Sequence, residues 1–455
     1  MNDFAKSEKC DVVIAGGGST GVVAVLASAR LGAKTVLIEA KGYPGGMVVE
    51  GGMALHSFYN LWKAFPGVEK RQVVKGIPQE IVDRLIDAGG TSGHAEMLLG
   101  YDYDSVCTAI DTEIYKRVVF EMLDEAGVAV CVNTLLTGVI KEDGWIKGVT
   151  AESHSGRETI YANAFIDTSG YGDLAAQAGA DFSEPNDYPV ANSIGIGGVN
   201  VEEYHKFLKS NDALAHYAEG WRSGKDRQIV RLQAISKNLP TEFREGSQRI
   251  GMASVMTTVH DNYFMFVKLN YKMPKSPTDR DEASKAELEL RKRQALAIAL
   301  FRKYVPGCEK AFIARSSPSL CIRRGRLITC DYDITLDDVL NGQHFDDDIM
   351  AYGFHDSAPR LQIKEGGTYG IPYRALCPVG IENLFVAGML ITSNHDAHMS
   401  TRNTVCCMGQ GQAVGTAAAM CAQRACSTRE LPYSDLRRVL EENDVILENE
   451  HVGVH

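Results

Sequence analysis

At 455 residues the chain is longer than a single compact core ordinarily serves, so two connected domains are expected. Hydrophobic residues make up 45% and charged residues 23%, a balance that excludes a disordered or fibrous chain. The formal net charge of -11 argues against nucleic acid as the main partner.

The opening "MNDFAKSEKC" mixes both charges around no apolar core and does not form a signal peptide. No apolar run is long enough to span a membrane, and the cytoplasm is the expected compartment. Eleven cysteines include the adjacent Cys406 and Cys407 but no Cys-x-x-Cys, so reduced thiols and no metal site are expected.

Val12, Val13 and Ile14 suit a buried strand, and small and apolar residues at helical spacing follow from Ser19 to Leu31. Gly32 stops that helix, and "KTVLIEA" supplies a second buried strand ending in Glu39. Gly16, Gly18 and Gly21 between strand and helix form G-x-G-x-x-G. The first glycine allows the tight turn, the second admits a pyrophosphate against the backbone, and the third lets helix and strand pack closely. Ser19 and Thr20 begin the helix, whose free N–H groups point at phosphates, and Glu39 stands where a carboxylate binds ribose hydroxyls. The pattern predicts dinucleotide binding.

A glycine-rich connection follows Ala40, "KGYPGGMVVEGGMALHSFYN", with Gly45, Gly46, Met47 and His56. Helices are expected near Pro78–Ala88 and Thr112–Ala126, then a β-meander over 128–161 with its turn at Asp143-Gly144. "AFIDTSG" reads as another buried strand, closing on Ser169 and Gly170. Residues 181–370 change character and carry a long charged helix, Asp281–Val305, stopped by Pro306-Gly307. The strand "NLFVAG" then ends at Gly388, a loop spans His395–Arg402, and a helix over Asn403–Arg424 contains Gly409 and Gln410. The division expected is 1–180, an inserted 181–370, and a return to the first unit over 371–455.

"IPYRALCPVGIENLFVAGMLITSNHDAHMSTRNTVCCMGQGQAVGTAAAM", with "GIPQEIVDRL", "FIDTSGYGDLAAQAGAD" and "IRRGRLITCDYDITLDDVLNGQHFDDDIMAYG", resembles the FAD-dependent oxidoreductase family of the glutathione-reductase-like superfamily. The resemblance implies an α/β fold: a Rossmann-like FAD-binding domain with a β-meander, plus an inserted α+β substrate domain. It implies FAD contacts at Gly16, Gly18, Ser19, Thr20, Gly21, Glu39, Ala40, Gly45, Gly46, Met47, Ser169, Gly170, Gly388, Gly409 and Gln410. The last helix, starting near Arg402, would approach the pyrimidine edge of the flavin, where its partial positive charge stabilises the reduced ring. The chain departs from the family pattern at His398 and Met399, where a leucine and a glycine are usual.

No Cys-x-x-x-x-Cys stands in the connection after Glu39, so no redox-active disulfide is expected there. No second complete strand–GxGxxG–helix unit appears, which leaves electrons to pass through the substrate, a separate carrier or oxygen. His395 is a base candidate because an unperturbed histidine titrates near neutrality, His398 is a second, and Arg402 adds a charge. "CIRRGRLIT" brings Arg323, Arg324 and Arg326 together. If it is a strand, Arg324 and Arg326 share one face and Arg323 points the other way, and one face could grip a substrate carboxylate, the alternative being pairing with Asp331, Asp333 or the acids at 345–348. His355 and Tyr373 are expected as pocket walls with catalytic potential. The function expected is hydride transfer between a small polar metabolite and noncovalent FAD, with no nucleic-acid or membrane partner and the oligomeric state open. The alternatives are a flavin-dependent tRNA-modifying protein and a non-catalytic flavoprotein.

Overall fold

A computed structural model describes residues 6–50, 71–100, 105–253, 255–357, 361–364 and 367–448. His56 lies outside the described residues. After a short strand at Lys6–Lys9, which joins the meander sheet, come β1 (Val12–Ala15), α1 (Ser19–Arg30) and β2 (Thr35–Ile38), and every residue of β1 and β2 is buried. Next come β3 (Ala129–Cys131), the hairpin strands β4 (Leu135–Glu142), β5 (Trp145–Ser153) and β6 (Gly156–Tyr161), and β7 (Ala164–Asp167). The second part contributes β8 (Val190–Gly197), β9 (Tyr263–Tyr271) and α2 (Arg280–Tyr304). The chain closes with β10 (Leu384–Val386), α3 (His395–Thr401) and α4 (Thr404–Arg424).

Five strands form a parallel sheet in the order β10-β7-β1-β2-β3. Their continuous apolar runs fit a sheet covered on both faces. The two chain segments are joined in this sheet, because β10 pairs with β7 through Phe165↔Leu384 and Asp167↔Val386. The meander β4–β6 is antiparallel, and its predicted turn has Asp143 and Gly144 both at positive φ, 49° and 81°.

A larger mixed-order sheet carries β8 and β9 side by side in antiparallel register. The strands Ala95–Leu99 and Val106–Cys107, which precede β3 in the chain, join this large sheet. Helix α2 is capped by Asp279, which accepts the Glu282 N–H at 3.0 Å. Its Leu290, Ala297 and Phe301 bury against Phe264, Val267 and Leu269 of β9, covering one face of the sheet.

One expectation is corrected here, and the strand condition on the arginine segment is met only in part. The segment 395–402 is a short helix rather than a loop, because Asn394 caps it by accepting the Asp396 and Ala397 N–H groups. "CIRRGRLIT" is a strand only at Leu327–Ile328. Arg324 pairs with Asp187 and donates to the Ser393 carbonyl, and Arg326 pairs with Asp173 and donates to the Tyr171 carbonyl, so both side chains are held by other loops.

Candidate active site

One cavity of about 380 Å³ is lined by the glycine turn, the end of β2, the turn after β7 and the approach to α4. Its walls include Gly16, Gly18, Ser19, Thr20, Glu39, Ala40, Gly46, Met47, Ser169, Gly170, Gly388 and Arg402. Residues more than 350 positions apart in sequence thus face one space.

The turn is built by close approach. Gly16 has φ +97°, and a Cβ there would fall 2.5 Å from the Ser169 Cα. A Cβ on Gly21 would fall 1.9 Å from the Gly16 carbonyl oxygen. Thr168 locks the turn from β7 by donating its hydroxyl to the Gly16 carbonyl at 2.7 Å. Gly18 is different: a Cβ there would meet nothing within 4 Å. That glycine keeps open a cradle which a side chain would fill. No side chain caps α1 and no acidic residue stands in its first turn, so its leading N–H groups are available to an anion.

Glu39 accepts the Gly17 N–H at 2.6 Å and the Lys41 N–H at 2.8 Å. Burial raises its pKa, and those two hydrogen bonds oppose the rise. The carboxylate is thereby fixed in one orientation at the cavity wall. Gly45 donates to the Gly17 carbonyl at 2.7 Å, and a Cβ on Gly46 would fall 2.8 Å from the Gly18 Cα, so this loop packs directly on the turn.

On the other side, Thr404 begins α4, and both Thr404 and Arg402 line the cavity. Arg402 is ion-paired with Asp356 and lies 5.2 Å from the Tyr188 ring centroid. Gln410 does not line the cavity. It accepts the Gly388 N–H at 2.8 Å and donates to the Thr401 carbonyl at 2.9 Å, which ties both the turn after β10 and the end of α3 to α4.

The chain matches the family model described as FAD dependent oxidoreductase over residues 11–440. It belongs to the FAD-dependent oxidoreductase family. FAD is accordingly the cofactor, and the Gly18 cradle, the uncapped α1 and the oriented Glu39 carboxylate suit its diphosphate and ribose. Solved structures similar to this family member include a geranylgeranyl bacteriochlorophyll reductase-like protein from Thermoplasma acidophilum, with 14% identity, TM-score 0.46, and coverage of 96% of this chain and 83% of that one. Another is p-nitrophenol 4-monooxygenase from Pseudomonas putida, with 12% identity, TM-score 0.47, and coverage of 96% and 86%. No curated protein matches the chain.

Among the expected cofactor contacts, Gly21, Gly45, Gly409 and Gln410 stand behind the cavity wall. A Cβ on Gly409 would fall 2.6 Å from the Met350 Cε, so that glycine serves packing. Of the expected catalytic side chains, Arg402 alone lines the cavity. Tyr373 donates its hydroxyl to the Thr428 carbonyl at 2.7 Å and packs on Phe385, which makes it a clamp on the C-terminal segment. His355 uses both ring nitrogens, one donating to the Asp396 carbonyl at 2.7 Å and the other accepting the Ser357 N–H at 3.0 Å. Arg324 is buried on Asp187 at 2.6 Å and is committed to that pair. His395 is half-exposed, stacked on Tyr188 at 4.7 Å and bonded to Asp396. His398 is fully buried, its pKa held well below 6.5 by burial, with Nε2 donating to the Met389 carbonyl.

Three buried ionisable groups stand outside the residues expected from the sequence. Asp167, fully buried at the end of β7, accepts the Ser169 N–H at 2.9 Å, the Ser169 hydroxyl at 2.7 Å and the Ala175 N–H at 2.9 Å. Burial raises its pKa against those donors. Glu50 is buried at the cavity wall, ion-paired with Lys41 and accepting the Ser319 hydroxyl at 2.8 Å. Lys268 is the third. An acid closing an apolar strand, and a lysine inside the apolar run "YFMFVKLNY", are both readable as anomalies.

Proposed function

We propose that the chain transfers a hydride directly between a small polar metabolite and noncovalently bound FAD. The observation that carries this reading is the single cavity shared by the Gly16–Thr20 turn and the Arg402–Thr404 start of α4. When bound, FAD supplies a two-electron acceptor or donor. The N–H groups of the turn and the dipole of α1 hold the diphosphate. Glu39 accepts ribose hydroxyls with an orientation already set by Gly17 and Lys41. The start of α4 and the Arg402 guanidinium favour negative charge at their side of the cavity, while Met389, Leu320 and Ile322 give it an apolar wall.

The test is spectroscopic. Purified or FAD-reconstituted protein should show an oxidised flavin spectrum, and heat denaturation should release the chromophore into the supernatant. Under anaerobic conditions one member of a panel of small hydroxy and amino acids, or a reductant-product pair, should bleach or restore that spectrum at a substrate-dependent rate. Protein that retains no chromophore after reconstitution would falsify the reading.

A further inference from the structure

Lys268 lies in β9 opposite Ser193 of β8. Its chain neighbours Val267 and Leu269 bury against α2, so alternation puts Lys268 on the other sheet face. The residue is 7% exposed, and among the described residues its ammonium makes no hydrogen bond or ion pair. The charged and titratable groups that act on it electrostatically are Arg323 and Cys321 from the segment after Leu320, Arg402 from the end of α3, and Asp356 from the loop following Tyr352. Two of these are cations, and the one carboxylate is already paired with Arg402. Arg323 makes a single long hydrogen bond, to the Pro189 carbonyl at 3.4 Å. The next arginine, Arg324, is neutralised by Asp187, which shows that this region does supply partners where a cation is structural.

A buried ammonium beside two guanidinium groups with one shared carboxylate is an unfavourable arrangement on its own. Burial and the two arginines push the Lys268 pKa down to about 7. An arriving anion would relieve the repulsion and restore the proton. Arg402 lines the FAD cavity while Lys268 and Arg323 stand outside its lining, so an anion bridging the three would sit at the Arg402 edge of that cavity.

We propose that Lys268, Arg323 and Arg402 form the recognition site for a carboxylate of the substrate. The inference rests on the direct-transfer reading above and narrows its substrate class to small organic acids. The guanidinium fork of Arg323 suits a bidentate carboxylate, and Lys268 adds a point charge from the sheet.

The experiment measures the thermal shift of the FAD-reconstituted protein, and the shift of its visible flavin bands, with malonate, succinate and glutarate. Controls are the matching diamides, sodium chloride at equal ionic strength, and inorganic phosphate. At least one diacid should stabilise the protein saturably and perturb the flavin bands, with no such effect from its diamide or from phosphate. Lys268→Met and Arg323→Gln should each weaken that binding by about thirtyfold or more, as expected when one partner of a buried charge pair is truncated, with FAD content per chain retained. The proposal is overturned if no diacid exceeds its diamide, if phosphate binds as well, if both variants bind the diacid like the parent, or if they lose FAD instead. The diacid–diamide comparison needs no variant and runs equally on cofactor-free protein. Loss of the flavin reading and loss of the carboxylate site are therefore separate results.

Discussion

Gly16 and Gly18 stand two residues apart in one motif, yet they serve different ends. Gly16 sits at positive φ with backbone atoms of Thr168 and Ser169 inside 2.8 Å of where a Cβ would be, and backbone cannot swing aside as a side chain can. Gly16→Ala should therefore destabilise the fold by about 1–3 kcal/mol, read as a lower denaturant midpoint without FAD. Gly18 has φ -63° and open space beyond it. Gly18→Ala should leave cofactor-free stability within about 1 kcal/mol of the parent. It should nonetheless weaken FAD binding about tenfold or more, roughly 1.4 kcal/mol, in a fluorescence titration. Unchanged FAD affinity in Gly18→Ala would remove the cradle from the account. The motif was legible in the sequence because its spacing is local. So was the division of labour within it, Gly16 for the turn and Gly18 for the ligand; that Gly16 packs on Thr168 and Ser169 was not, since those residues stand about 150 positions later.

Helices α1 and α4 meet backbone to backbone, and this crossing brings the two segments of the chain to one cavity. A Cβ on Gly411 would fall 2.3 Å from the Thr20 carbonyl oxygen, and one on Gly415 would fall 2.1 Å from that of Ala24. Ser28 seals the crossing by donating to the Gly415 carbonyl at 2.7 Å. Gly415→Ala should separate the helices, lowering stability by about 1–3 kcal/mol and reducing FAD affinity with it. A variant with normal FAD binding and a normal melting temperature would show that the helices can part without disturbing the site. The small residues of "GQGQAVGTAAAM" announced a tightly packed helix, but not its partner. The same division runs through the rest of the fold. β1, α1, β2, the Asp143-Gly144 hairpin and α2 each carry a local signature of period, cap or turn. The arginine segment was legible only in part because its side chains are held by ion pairs with Asp187 and Asp173, each more than 130 positions away. The α3 segment misled because seven polar and small residues give little helical pattern, leaving Asn394 as the one available sign.

At the scale of the whole molecule, Lys268 is a buried cation of the larger sheet, coupled electrostatically to Arg402 at the cavity wall. Its position implies a measurable conflict between stability and binding. The Lys268 pKa is about 7 in the folded chain against 10.5 ordinarily. Between those values the unfolded chain holds a proton that the folded chain has released, so stability from this group rises as pH rises through the window. Below pH 7 both states hold the proton, and the full penalty of burying the charge applies. Lys268→Met removes the penalty. The variant should thus exceed the parent in stability at pH 6 by up to roughly 5 kcal/mol, the bound set by the size of the pKa displacement. That gap should narrow steadily as the pH approaches 10. Titrations common to both proteins cancel in the difference, which isolates this one side chain. A bound diacid should close the gap from the other direction, by stabilising the parent at pH 6 and leaving the variant unmoved. Denaturation curves for parent and variant that run parallel from pH 6 to 10 would mean that Lys268 is neither desolvated nor repelled in solution.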